Sequence, residues 1–133
     1  MYKKKQFSKL EKKYNSYQDK GTVGLMMKLC HENLEKNLSI NNFNDNSKIL
    51  EIGAGSSPHL SYLSHAFGKY HFLENSKFSI SFLKKKFSKN SKIEFKYYDS
   101  KKIPYRKNYF DRIIISHVLE HVPDPEMFLK KII

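Results

Sequence analysis

With 133 residues, and 25 basic against 13 acidic side chains, the chain carries a formal net charge of +12 and has room for one domain at most. Its single cysteine, Cys30, excludes an internal disulfide and fits a reducing cytosol, which predicts a cytoplasmic protein; without a nearby base it is expected to be buried. No stretch reaches the apolar length of a membrane span, and Met1-Tyr-Lys-Lys-Lys-Gln-Phe-Ser has no apolar region behind its basic residues, so it does not read as a secretory signal. The lysines are scattered, apart from short clusters at Lys3 to Lys5 and Lys84 to Lys86, and Asn is abundant. That pattern fits a solvated surface better than a nucleic-acid footprint, so a nucleic-acid partner stays open but is not favoured.

In chain order, residues 1 to 20 place Phe7, Leu10, Tyr14 and Tyr17 near helical spacing, which predicts an amphipathic helix. Gly21 and Gly24 interrupt it. A second helical segment runs from Leu25 to Leu38, with Leu25, Leu29, Leu34 and Leu38 as expected contacts. Residues 41 to 47 form a loop. It separates an N-terminal helical cap, residues 1 to 46, from an α/β core, residues 47 to 133. The core then alternates. Ser47 to Ile52 reads as a strand, Pro58 to Phe67 as a helix ended by Gly68, and Tyr70 to Leu73 as a strand. Ser76 to Phe87 is a helix with Ser76 as N-cap, and Ile93 to Tyr97 and Asp111 to Ser116 are strands. A last helix spans about Pro125 to Ile132, with proline in its first turn. Alternation of this kind predicts parallel βαβ units with right-handed crossovers, and a ligand beyond the carboxyl ends of the strands. Gly53, Glu74, Asp99 and Ser116 all fall at such ends.

The densest signal is Ile49-Leu-Glu51-Ile-Gly53-Ala54-Gly55. A buried strand stops at two glycines that allow a sharp turn and close approach of a ligand to the backbone. Glu74 follows Gly53 by 21 residues, where a carboxylate can accept hydrogen bonds from ribose hydroxyls. A dinucleotide fingerprint would need a third glycine, but Pro58 stands there, and no Gly-Lys-Ser/Thr follows to make a phosphate loop.

On these residues the chain resembles class I S-adenosylmethionine-dependent methyltransferases. Ile49-Leu-Glu51-Ile-Gly53-Ala54-Gly55 is similar to that family's first motif. Phe72-Leu-Glu74-Asn-Ser resembles the second, Tyr97-Tyr-Asp99-Ser100-Lys-Lys-Ile-Pro104 the stretch after the third strand, and Tyr109-Phe-Asp111-Arg-Ile-Ile-Ile-Ser116-His-Val-Leu-Glu-His121-Val the fourth strand and its exit. That last stretch is similar to the branch containing the ubiquinone/menaquinone-type methyltransferases. The resemblance covers about residues 47 to 130. It implies a Rossmann-like methyltransferase core with a mostly parallel sheet in the strand order three-two-one-four, and S-adenosyl-L-methionine as cofactor. Its expected binding set is Glu51, Gly53, Ala54, Gly55, Glu74, Asp99, Ser100 and Ser116. Within that set Gly53 and Gly55 would face the methionine end, Glu74 the ribose, Asp99 the adenine, and Ser116 the methyl group.

Two departures stand out. Ser57 and Pro58 replace the usual glycine entry to the helix, and Tyr98 stands where a glycine often precedes the acidic residue. The family also continues past a fourth strand, whereas this sequence ends at Ile133. The expectation is therefore a cofactor-binding half that is a fragment or an oligomer pairing the Ile113-Ile114-Ile115 edge. No metal site is expected, and no catalytic base is identifiable. His117 and His121, four residues apart, are weak candidates beside a plain turn role. The favoured function is methyl transfer to a small-molecule or lipid-type acceptor. An RNA methyltransferase is disfavoured because Ser116-His-Val-Leu replaces the motif that grips a flipped base. A non-catalytic cofactor-binding module is the third reading.

Overall fold

The computed structural model describes residues 21–38 and 42–133. The helix expected over residues 1 to 20 lies outside the described residues. Four parallel strands form one sheet: β1 (Lys48–Ile52), β2 (Lys69–Glu74), β3 (Ile93–Tyr97) and β4 (Arg112–Ile115). Their order is β3-β2-β1-β4, the arrangement the resemblance implies. Register is regular, with Glu51 opposite both Phe72 and Ile114. Among the described residues β4 pairs with β1 alone.

Side chains alternate across the sheet as a pleat requires. Leu50, Ile52 and Leu73 face one side, with Tyr98, Ile103, Phe128 and Ile132. Ile49, Tyr70, Phe72, Ile93 and Ile114 face the other, with Leu83. Helix α2 (Lys77–Phe87) crosses between β2 and β3 and buries Leu83 and Ser79. Ser76 caps it, its hydroxyl accepting from the Ser79 N–H, as the sequence predicts. Helix α3 (Pro125–Lys130) is capped by Asp124 and seats Phe128 in the first core.

Several expectations are corrected. The segment after β1 is a single 3₁₀ turn, His59–Tyr62, rather than an α-helix from Pro58 to Phe67. Its polar groups are drawn elsewhere. The His59 N–H donates to Glu51, Ser64 Oγ donates to the Glu35 carbonyl, and His65 stacks on Phe43 at 4.2 Å. Gly68 is therefore not a helix cap. It is needed because its Cα lies against the Asp45–Asn46 backbone, where a Cβ has no room.

Helix α1 (Gly21–Lys36) begins at Gly21 and includes Gly24. It also presents the opposite face from the one expected. Leu25, Leu29 and Leu34 are more than half exposed, and Cys30 is exposed, whereas His31 and Glu35 are buried. The inward face is the stripe Met27, His31, Glu35 at four-residue spacing; it meets the 3₁₀ turn, and a buried ion pair to Arg112 of β4 rather than leucine packing anchors it. No described helix is long and apolar enough to cross a membrane.

Candidate functional site

The carboxyl ends of β1, β2 and β4 converge beneath α1 on a cleft of about 230 Å³. The loop Gly53-Ala54-Gly55 forms its floor, and Glu74, Asn75 and Ser76 form one wall. Ser116, His117 and Val118 form the opposite wall, Tyr98 closes the β3 side, and Met27 and His31 reach in from α1.

The sequence dictates the floor. Gly53 has φ +68° and donates its N–H to the Leu73 carbonyl at 3.0 Å. A Cβ there would strike the Val118 side chain, so both backbone conformation and space require glycine. Gly55 has φ +57° and donates its N–H to Glu74 Oε1 at 2.8 Å. The glycine turn after β1 is thus tied directly to the carboxylate ending β2. That carboxylate is only 3% exposed, yet it lines the cleft.

Glu51 borders the same cleft from beneath. Its two oxygens accept from the Tyr70 hydroxyl and, at 2.7 Å, from the His59 N–H. Complete burial pushes its carboxyl upward, against the pull of those donors. In this position Glu51 fixes where the chain leaves the glycine turn.

A second set of charges anchors the roof. Arg112 of β4 grips Glu35 of α1 with both guanidinium nitrogens, at 2.6 and 3.1 Å. Arg112 also meets His65 Nε2 at 2.7 Å, and His59 Nδ1 lies 3.4 Å from Glu35 Oε1. Burial works against the Glu35 charge, but hydrogen bonds from His59 and Arg112 hold its carboxyl down at about 2. One turn earlier on α1, His31 packs against His59 with ring centroids 3.8 Å apart and a 31° tilt between the rings. Burial, reinforced by His59 and His117, pushes the His31 imidazole down to about 4, so it is neutral at physiological pH.

Of the residues expected from the sequence, Glu51, Gly53, Ala54, Gly55, Glu74 and Ser116 all line this cleft, as do His117 and His121. Both histidines are exposed, and His117, with φ +54°, faces Glu120 at 3.6 Å. Asp99 and Ser100 do not line the cleft. Asp99 is exposed and accepts the Lys101 N–H at 3.0 Å; it borders an adjoining cleft of about 560 Å³ with Lys102, Pro104 and Tyr105. Tyr98 lines both clefts. Ser100, at φ +66°, accepts from Asn75 Nδ2 at 3.0 Å and so ties the loops after β2 and β3 together.

Met27, His31 and Asn75 escaped the sequence reading. His31 belongs to no motif, and its place at the cleft follows from burial. The four-residue stripe it shares with Met27 and Glu35 was the available signal, and the leucines on the opposite face masked it. Among the described residues no group of three or more His, Cys, Asp or Glu side chains could hold a metal ion.

The arrangement is suited to a polar ligand. A carboxylate on the wall offers acceptors for hydroxyl groups and repels phosphates, and the glycine turn admits close backbone approach. The family model described as "Methyltransferase domain" matches residues 50–133, more than half of the chain. Comparison with curated proteins gives no significant match.

Similar solved structures include the complex between the Haloferax volcanii Trm112 methyltransferase activator and a methyltransferase, at 14% identity and TM-score 0.70 over 90% of this chain and 50% of that one. A SAM-dependent methyltransferase from Aquifex aeolicus matches at 19% identity and TM-score 0.62, over 76% of this chain and 55% of that one. The DhpI–SAM–HEP complex matches at 23% identity and TM-score 0.67, over 95% and 56%. This chain thus spans about half the length of these structures. On the family match and the cleft it encloses, the chain belongs to the methyltransferase domain family.

Proposed function

We propose that this chain binds S-adenosyl-L-methionine in the cleft above Gly53 and Gly55, as part of a protein that transfers the methyl group to a small-molecule or lipid-type acceptor. The observation that carries the reading is the junction of Gly55 N–H and Glu74 Oε1 at the carboxyl ends of β1 and β2. It sets a carboxylate at the edge of a glycine turn, where a ribose diol can donate to it. Neighbouring folds solved with SAM or SAH, such as the two DhpI complexes, support the cofactor. The stretch from Ser116 to His121 supports the ubiquinone/menaquinone-type branch, and a cytoplasmic location fits the single cysteine.

In this reading Gly53, Ala54 and Gly55 admit the methionine end and Glu74 holds the ribose. Asn75, held by Ser100, shapes the adenine side, where Tyr98 supplies an aromatic wall; Asp99 borders only the adjoining cleft. Ser116 stands beside the methyl group. Glu51 acts through the loop it fixes. The sulfonium supplies an already activated methyl group, so the protein's work is to hold the two reactants in line and exclude water. Two carboxylates test the assignment. Glu74→Ala loses hydrogen bonds to a charged acceptor, roughly 1.5–3 kcal/mol of cofactor binding. Glu94→Ala removes an exposed carboxylate that, among the described residues, pairs with Lys69 and His71 on β2, and leaves the affinity unchanged. Equal losses in calorimetry of the two folded variants would refute the role of Glu74.

A further inference from the structure

We propose that His31 is the acceptor-side base of the cleft and that the acceptor it serves presents a hydroxyl group, an alcohol or a phenol. The inference rests on the reading of the cleft as a site for a sulfonium methyl donor. His31 is 2% exposed yet lines the cleft. Neither of its ring nitrogens has a hydrogen-bond partner among the described residues. A buried imidazole left so is costly, and a ligand in the cleft that bonds to it removes the cost. The ring is also held in place, tilted by 31° against His59 with centroids 3.8 Å apart and edge-on to Tyr62 at 5.7 Å.

The groups that surround His31 keep its lone pair available. His59 and Tyr62 pack on it from the turn after β1, and His117 and His121 face the cleft from beyond β4. Glu35, on its own helix, is occupied by Arg112 and His59. With burial added, the imidazole is neutral well below pH 7.

This chemistry selects the acceptor. An amine can shed its proton to solvent before it reacts, and a carbon acid needs a much stronger base than this imidazole. A hydroxyl keeps its proton until the methyl group arrives and needs a lone pair beside it. In the transfer, a lone pair of the hydroxyl oxygen forms the O–CH₃ bond while the C–S bond breaks with its electrons to sulfur. The O–H proton passes to an unpartnered His31 nitrogen, giving a methyl ether, a thioether and an imidazolium that gives up its proton once the products leave the cleft. The oxonium created by methylation is a far stronger acid than imidazolium, so the proton moves downhill as the new bond forms.

The test uses the full chain with ¹⁵N-labelled histidine, saturated with S-adenosylhomocysteine, and compares phenol with toluene as probes of equal ring size. Phenol is expected to shift the His31 ring-nitrogen resonances and to bind roughly tenfold more tightly than toluene, the worth of one hydrogen bond. His31→Phe, also saturated with S-adenosylhomocysteine, is expected to lose that preference. No shift of His31 by phenol in the wild-type chain overturns the proposal, whether or not the variant folds, and so does a phenol preference that survives in His31→Phe. Failure of S-adenosylhomocysteine to bind at all overturns the sulfonium-donor reading beneath it, which the titration reports separately.

Discussion

Helices α1 and α2 flank the same sheet and are held to it by opposite means. Helix α2 follows the common rule: it buries Leu83, leaves its lysines in solvent, and starts at a hydroxyl cap. Helix α1 turns Leu25, Leu29 and Leu34 outward and docks through Glu35, His31 and Met27. Apolar packing suits an element that only covers a core. Buried charge suits one that must be fixed in register over a cleft, because a bidentate Arg112–Glu35 pair is satisfied in one geometry only.

The sharpest way to break this contrast is to remove one anchor from each helix. Glu35→Ala leaves Arg112 uncompensated in a nearly closed environment and should cost about 3–5 kcal/mol. Leu83→Ala should cost about 2–5 kcal/mol through lost burial and the cavity left behind. Denaturant titration separates the two mechanisms. Replacing both Glu35 and Arg112 by apolar residues should recover much of the first loss, and no analogous charge substitution rescues the second. If Glu35→Ala costs less than about 1 kcal/mol, the buried pair does not anchor α1.

Acid should expose the same difference. The folded-state pKa of His31, at about 4, lies below its ordinary value of 6.5, so the unfolded chain takes up that proton first. Its contribution is present above pH 6.5 and is lost as pH falls toward 4. Glu35, depressed from 4.5 to about 2, adds a second loss between those values. His71, buried and also lowered, acts in the direction of His31. Stability measured from pH 7 to 3 should therefore fall in two stages, and His31→Phe should flatten the first. Glu51, whose carboxyl burial pushes up, works in the opposite direction, so the variant comparison decides: a His31→Phe chain that loses stability between pH 6.5 and 4 as steeply as the wild type would contradict this assignment.

The smallest effect comes from the face that sequence patterning favoured. Leu29→Ser, at a site 54% exposed, should change stability by no more than about 0.5 kcal/mol. A loss comparable to that of Leu83→Ala would mean that this face is covered.

The sequence was most legible where local chemistry and tertiary context agree. The four strands carry β-branched or aromatic runs, and Ser76 and Pro125 mark helix starts by the groups they offer or lack. Gly53 and Gly55 disclose a turn that other residues cannot make. Legibility failed where distant partners override local preference. Residues 58–67 have helix-forming composition, but Glu51 and Glu35 claim the polar groups of His59 and Ser64, and the helix shrinks to one turn. The docking face of α1 was hidden for the same reason, since Arg112 lies 77 residues from Glu35. In the site, the motif residues of β1, β2 and β4 reach the cleft as expected. Asp99 and Ser100 follow β3, whose loop turns them away, and His31 belongs to no motif, so only its four-residue spacing with Met27 and Glu35 pointed to the inward face.

In the proposed function, the cleft above Gly53 and Gly55 takes an S-adenosyl group through the carboxylate at the end of β2. Calorimetric titration of the chain with S-adenosylhomocysteine, with NAD run beside it, tests this most directly. The account predicts saturable one-to-one binding of S-adenosylhomocysteine and clearly weaker or no binding of NAD. NAD affinity equal to or better than that for S-adenosylhomocysteine would contradict it.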